Sequence, residues 1–187
     1  MSVNSRGFSL TEVLIAMAIG SLLLLSSARF LPGLQQAILR QEAKQDLEED
    51  IWLRVMAIGK QIQRAGYCVG QCQGRGIFIS QDGHCVIVQW DANSNGQWEK
   101  TPKAEAEQTG FRLASGVLET QRGATHCEGK GWDKLTDPDR VFIHNFSVRQ
   151  HALAGFSPEF VIALSASRKG YDSSSVQVVH HVTGFNL

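Results

Sequence analysis

Cysteines and adjacent histidines are the first residues of this 187-residue chain whose side chains could carry out chemistry. The four cysteines are Cys68, Cys72, Cys85 and Cys127. His84 and His126 each directly precede one of them. Thiolates and imidazoles bind zinc, whereas thiols in an oxidising compartment form disulfides. Which chemistry applies depends on the compartment, which the rest of the chain must indicate.

The segment 91–99, DANSNGQWE, is a candidate calcium site. It has the D-x-N-x-N-G spacing of the first half of a calcium-binding loop, with Asp91, Asn93 and Asn95 as candidate ligands. The twelfth position, where a bidentate Glu belongs, is Pro102, and Glu99 is the nearby acid. Since Asn-Gly is also a strong hairpin-turn signal, we interpret the segment as a turn and keep calcium as the alternative.

Motifs of common enzymes are incomplete in this sequence. In GATHCEGKG, five residues instead of four separate Gly123 from Gly129, and Gly131 replaces the Ser or Thr of a phosphate-binding loop. GFSPE lacks the final glycine of a nucleophile elbow, and the six histidines form no HExxH motif. We therefore predict that the protein is not an enzyme and has no cofactor, calcium excepted.

An apolar run at residues 8–25 contains one acid, Glu12, and Ser26 to Ala28 extend it towards the roughly 20 residues that span a bilayer. A carboxylate there is unfavourable by up to a few kcal/mol, depending on depth. Glu12 argues against a cleaved secretory signal. In a plain membrane anchor, the Glu12 side chain would extend to the lipid headgroups and have no other role. The 18 basic and 18 acidic residues balance, so no global charge attracts nucleic acid.

The segment GFSLTEVLIAMAI, residues 7–19, closely resembles the class III signal of type IV prepilins and type II secretion pseudopilins. In that pattern Gly7 ends the leader, Phe8 is the first mature residue and Glu12 is the fifth. The resemblance implies that prepilin peptidase cuts between Gly7 and Phe8, and that Phe8 is then N-methylated. It also implies that Glu12 pairs with the Phe8 amine of a neighbouring subunit. Such charges about 4 Å apart attract by about 4 kcal/mol at an effective dielectric of 20.

The family resemblance, more than the single arginine on each side of the run, implies a cytoplasmic N terminus and a periplasmic globular domain. We expect a leader at 1–7, a membrane and filament helix at 8–30, its periplasmic continuation at 31–66, and a β-rich domain at 67–187. Pro32 and Gly33 should kink the helix or open it locally.

The remaining patterns predict an α+β, pilin-like fold, in which the long helix packs on an antiparallel sheet. Leu47, Ile51, Val55, Ile58 and Ile62 form a helical stripe, which Trp52 and Met56 widen. A coiled-coil seam is the alternative. The helix should end near Gly66. Six segments predict strands: CVIVQW, GFRL, GVLETQ, RVFIHNFSVRQ, FVIALSAS and SSVQVVHHVTGF.

The hairpin GFRLASGVLETQRG resembles one that is common in J-type minor pseudopilins, and three other segments resemble one enterobacterial subgroup of that class. This implies a minor prepilin of the inner membrane that joins a tip complex and primes type IV pilus assembly. The alternatives are a J-type minor pseudopilin of type II secretion and a membrane-anchored periplasmic ligand-binding domain. The implied partners are H-, I- and K-type minor pilins, the major pilin, prepilin peptidase, the assembly platform and the bilayer. A nucleic-acid partner is left open.

With the domain in an oxidising periplasm, the four cysteines are expected to form two disulfides. Three pairings are possible, and we favour Cys68–Cys72 with Cys85–Cys127. Zinc bound by the thiolates, or with help from His84 and His126, remains the alternative.

Overall fold

The structure, a computed structural model, describes residues 7, 9–100, 102, 104–152, 154–169 and 175–187. It divides into two compact units, Met1–Ala43 and Lys44–Leu187. One helix, α1, comprises Leu10–Arg64 and contributes residues to both units. Eight strands follow it within the described residues: β1 Ile77–Ile79, β2 Cys85–Gln89, β3 Gln108–Ala114, β4 Val117–Arg122, β5 Asp133–Lys134, β6 Val141–His151, β7 Glu159–Arg168 and β8 Val176–Thr183. The α+β fold predicted from the sequence is confirmed.

Helix α1 is not opened at Pro32 or Gly33, since both residues are helical and exposed. The expectation of a local opening is therefore wrong. Proline removes one backbone hydrogen bond, and the helical bonds on either side of this exposed position are sufficient to continue the helix. The helix ends at Arg64, and Gly66 follows with a φ of +85°, the left-handed conformation that commonly closes a helix.

The apolar stripe of α1 faces the core of the second unit, as its spacing predicts. Its five residues are all buried: Leu47, Ile51, Val55, Ile58 and Ile62. Trp52 and Met56 do not widen this stripe, because they are 37% and 45% exposed. Gly59, which has no side chain, allows the helix to pack closely on β8. A β-carbon at that position would lie 3.0 Å from the His180 ring and 3.1 Å from Val182.

The strands form two antiparallel sheets, where the sequence had indicated one. The first has the order β1-β2-β3-β4-β5 and the second the order β6-β7-β8. Backbone hydrogen bonds link β6 to turns of the first sheet, from Ile143 to the Gly116 carbonyl and from Val148 to the Gly83 carbonyl, both at 2.9 Å. The short strands β1 and β5 were not predicted, because three and two residues are too few to show an alternating pattern.

Strand β2 is buried on both faces and separates two apolar clusters. Val86 and Val88 join the main core, which contains the α1 stripe and inward residues of β6, β7 and β8. Cys85 and Ile87 point into a smaller cluster with Ala124, against which Cys127 and Trp132 pack.

Candidate processing and assembly segment

Glu12 caps the start of its own helix. The backbone N–H of Ser9 donates a hydrogen bond to Glu12 Oε2 at 2.9 Å, and the N–H groups of Glu12 and Val13 donate to the Ser9 carbonyl. This is half of a capping box, in which a Glu three residues after the N-cap satisfies a free N–H. The Ser-x-x-Glu pattern at residues 9–12 is the sequence signal of this contact.

Gly7 is exposed, and among the described residues beyond its chain neighbours no atom lies within 4 Å of the point where its β-carbon would be. Phe8 lies outside the described residues. Cleavage of the Gly7–Phe8 bond and methylation of Phe8 remain predictions.

The first part of α1 is the one helix in the described chain that is long and apolar enough to cross a membrane, judged by length and composition. Its best window has a mean hydropathy of 1.9, and none of that window is buried. Leu10 and Leu24 are 78% and 73% exposed. Ser21 and Ser26 donate to helix carbonyls of Ala18 and Leu22, both at 2.8 Å, so their hydroxyls need no external partner. This surface is suited to lipid or to other apolar helices.

Both disulfides favoured from the sequence are present in the structure. Cys68 is bonded to Cys72, and Cys85 is bonded to Cys127 beside Trp132. All four sulfurs are thus unavailable as the thiolate ligands that the zinc alternative requires.

The two candidate histidines for zinc have other partners. His84 Nδ1 hydrogen-bonds to the Phe146 carbonyl at 2.5 Å, and His126 Nδ1 to the Glu128 carbonyl at 2.8 Å. These contacts orient the rings by protein hydrogen bonds, which supports a structural interpretation of both residues.

The segment 91–99 is not the tight hairpin turn that its Asn-Gly pair had suggested. Strands β2 and β3 are paired from Cys85 with Arg112 to Gln89 with Gln108, so their connection covers residues 90–107. Asn95 and Gly96 lie in the middle of this long connection. The segment instead winds around Asp91, which is fully buried and accepts backbone hydrogen bonds from Asn95 and Gly96.

Two family models match the chain. The model of prepilin peptidase-dependent protein B matches residues 40–184, and the prokaryotic N-terminal methylation motif matches residues 3–28. The chain is 54% identical to prepilin peptidase-dependent protein B of Escherichia coli K12 over 187 residues, which is the full length of both proteins. No solved structure matches the chain. The enterobacterial subgroup indicated by the sequence segments is this family.

Proposed function

The chain belongs to the prepilin peptidase-dependent protein B family, and from this premise we propose that it is a minor prepilin that primes type IV pilus assembly. The observation that carries the proposal is the arrangement at the start of the chain. Gly7 is exposed and lies three residues before α1, the apolar window in the N-terminal part of that helix is not buried, and Glu12 lies in its first turn.

Processing is the first step of the proposed function. Prepilin peptidase removes residues 1–7 on the cytoplasmic side, and the new amine of Phe8 is methylated. The apolar part of α1 stays in the inner membrane, where burial of its exposed leucines in lipid is favourable by about 25 cal/mol per Å² of apolar surface. The domain built on the second half of α1 is then held in the periplasm, where its disulfides are stable.

Assembly is the second step, and Glu12 is its key residue. The described contacts give its carboxylate one N–H donor, from Ser9, whereas an ionised carboxylate has about four acceptor positions. It can therefore keep its cap and still accept the cationic Phe8 amine of another subunit. In a water-poor bundle of helices, that attraction would offset part of the cost of removing both charges from water.

The proposed partners follow from this arrangement. H-, I- and K-type minor pilins would pack against the apolar part of α1 in a tip complex, and the major pilin would be added beneath them. The assembly platform would act while the helix is still in the bilayer. The protein would finally remain at the pilus tip.

Deletion of the gene in the native host tests this proposal. Surface pili should be lost and should return when the wild-type gene is supplied on a plasmid. A variant with Gly7→Leu, which blocks processing, should not restore them. Normal piliation together with loss of protein secretion would instead favour the J-type pseudopilin function. If neither piliation nor secretion changed, a ligand-binding domain without a filament would be the better account.

A further inference from the structure

We propose that the loop 91–99 binds a calcium ion through side-chain oxygens of Asp91, Asn93, Asn95 and Glu99. The inference is independent of the proposed role in pilus assembly. It rests on the contacts of this loop and of Glu107, which lies at the end of the same β2–β3 connection.

Asp91 organises the loop together with Asn93 and Asn95, whose side-chain oxygens each accept one backbone N–H, at 3.0 and 2.9 Å, and keep a second lone pair for a cation. Asp91 Oδ1 accepts the Asn95 N–H at 3.0 Å, and its Oδ2 accepts the N–H groups of Gly96 at 2.9 Å and Val69 at 3.2 Å. Burial opposes ionisation, but backbone hydrogen bonds outweigh it, so the pKa of Asp91 is lowered and the side chain is an anion. Gly96, at the sixth position, has a φ of +81°, as the sharp turn of a calcium loop demands.

One carboxylate oxygen in this loop is buried without a partner. Glu99 Oε2 exposes less than 1 Å² and accepts no hydrogen bond from any residue that the structure describes. The other oxygen, Oε1, accepts a hydrogen bond from the Asn95 side-chain amide. Leaving a charged oxygen buried and unpaired is costly, so Glu99 Oε2 indicates a missing proton or cation.

A second carboxyl group reinforces that conclusion. Glu107 is only 7% exposed, and its Oε1 accepts the N–H groups of Ala92 at 2.6 Å and Asn93 at 3.2 Å. The Glu107 and Glu99 carboxyl groups are within hydrogen-bonding reach of each other. The hydrogen bond from Asn95 is the main cause that lowers the pKa of Glu99, whereas burial is the main cause that raises the pKa of Glu107.

Two facing carboxyl groups require either a shared proton or a cation. Among the described side chains, no lysine, arginine or histidine nitrogen forms an ion pair with Asp91, Glu99 or Glu107. The loop therefore concentrates negative charge and supplies no described counter-charge of its own. A bound metal ion would both coordinate Glu99 Oε2 and neutralise the negative charge of the loop.

The donor set favours calcium over softer metals. Carboxylate and amide oxygens are ligands for hard cations, and calcium accepts irregular sets of six to eight of them. The Cys68 and Cys72 sulfurs lie within 4.8 Å of an Asp91 oxygen, but they are bonded to each other and offer no thiolate. Pro102 occupies the twelfth position, so Glu99 at the ninth position supplies the last acidic ligand. Because the twelfth-position carboxylate is missing, we expect weak calcium binding like that of extracellular modules, with a Kd of about 0.1–1 mM.

Calcium titration of the full-length protein in detergent tests the site. Calorimetry should give one calcium ion per chain, and millimolar calcium should raise the thermal unfolding temperature. Glu99→Gln keeps the size of the side chain but removes its charge, and it should weaken binding about tenfold or more. Glu105→Gln is the matched control, because Glu105 is an exposed acid of the same connection, and it should bind like the wild type.

Terbium, which occupies calcium sites, provides a second measurement on the wild-type chain. Its luminescence should be sensitised by Trp98, next to Glu99, and excess calcium should reverse the signal. This measurement decides the question even if Glu99→Gln does not fold. The proposal is overturned if the folded wild type shows neither calcium heat nor reversible terbium luminescence. Equal calcium affinity of wild type and a folded Glu99→Gln variant would also overturn it.

Discussion

The backbone N–H of Ser9 lies 2.9 Å from Glu12 Oε2, so the conspicuous acid of the apolar segment already has an intramolecular partner. A first-turn carboxylate is also favoured by the positive end of the helix dipole. Two functions are therefore possible for one side chain: capping its own helix and pairing with an amine of another subunit. Variants that keep a hydrogen-bond acceptor but lose the charge can separate them.

Processing by prepilin peptidase should give a mature protein of a defined mass. We expect protein extracted from membranes of a peptidase-positive strain to lack residues 1–7 and to carry one methyl group on Phe8. Gly7→Ala should be processed poorly or partly, and Gly7→Leu should retain the full leader, because a small residue is needed before the cut bond. Intact-mass measurement checks all three. A full-length wild-type N terminus in such a strain would contradict the prediction.

The two disulfides should differ in their effect on stability. Loop-entropy estimates give about 4 kcal/mol for Cys85–Cys127, with a sequence separation of 42, and about 2 kcal/mol for Cys68–Cys72, with a separation of 4. We expect the double variant Cys85→Ala/Cys127→Ala to unfold at a clearly lower temperature than Cys68→Ala/Cys72→Ala. Thermal unfolding of the full chain under oxidising conditions measures this. Equal losses would contradict the predicted order.

Glu107→Gln should stabilise the protein at neutral pH in the absence of calcium. The Gln oxygen can still accept the Ala92 and Asn93 N–H groups, and its amide can donate to Glu99 Oε2 in place of the long 3.4 Å contact that Glu107 Oε2 accepts from the Glu99 N–H. We expect a gain of about 1 kcal/mol, the typical value of one hydrogen bond. Unfolding temperatures of the two proteins in a chelator measure the difference.

The pH dependence of that difference has a definite sign. The pKa of Glu107 is raised, so its favourable contribution to wild-type stability is complete below the ordinary Glu pKa and is lost as the pH rises through the folded-state value. The advantage of Glu107→Gln should therefore grow from pH 4 towards pH 7. Asp91 titrates in the opposite sense but is present in both proteins, whereas Glu99 is hydrogen-bonded to the side chain of residue 107 and contributes to the same difference. A constant difference across this range would show that Glu107 is not the cause.

The long helix and the longer strands could be predicted from the sequence, because their apolar residues recur at the same spacing over many positions. The stripe from Leu47 to Ile62 indicated a buried helix face, and six strand segments were found. Trp52 and Met56 were misplaced because hydrophobicity alone does not define the width of a helix face. The division into two sheets depends on hydrogen bonds between distant turns and strands, such as Val148 with Gly83, which no local pattern encodes.

The candidate sites, too, could be predicted only where their residues lie close together in the sequence. Gly7, Phe8 and Glu12 lie within six residues, so their spacing alone reveals the motif. Glu107 was missed because it is sixteen residues beyond Asp91 and is brought to the loop by the pairing of β2 with β3. The Asn-Gly pair predicts a tight turn, because local preference does not show that a buried Asp91 organises the surrounding backbone.

The most direct test of the central proposal is to count surface pili in strains that carry Glu12→Gln or Glu12→Ala in place of the wild-type gene. In parallel, crosslinking from the membrane segment to other minor pilins is measured at matched protein levels. Glu12→Gln retains an acceptor for the Ser9 N–H, whereas Glu12→Ala does not, and both variants lack the charge that would pair with the Phe8 amine of another subunit. Both variants should therefore remain in the membrane but give fewer pili and weaker crosslinks. Wild-type pili and crosslinks in both variants would contradict an assembly role for Glu12, and a defect confined to Glu12→Ala would show that the cap, not the charge, is what assembly needs.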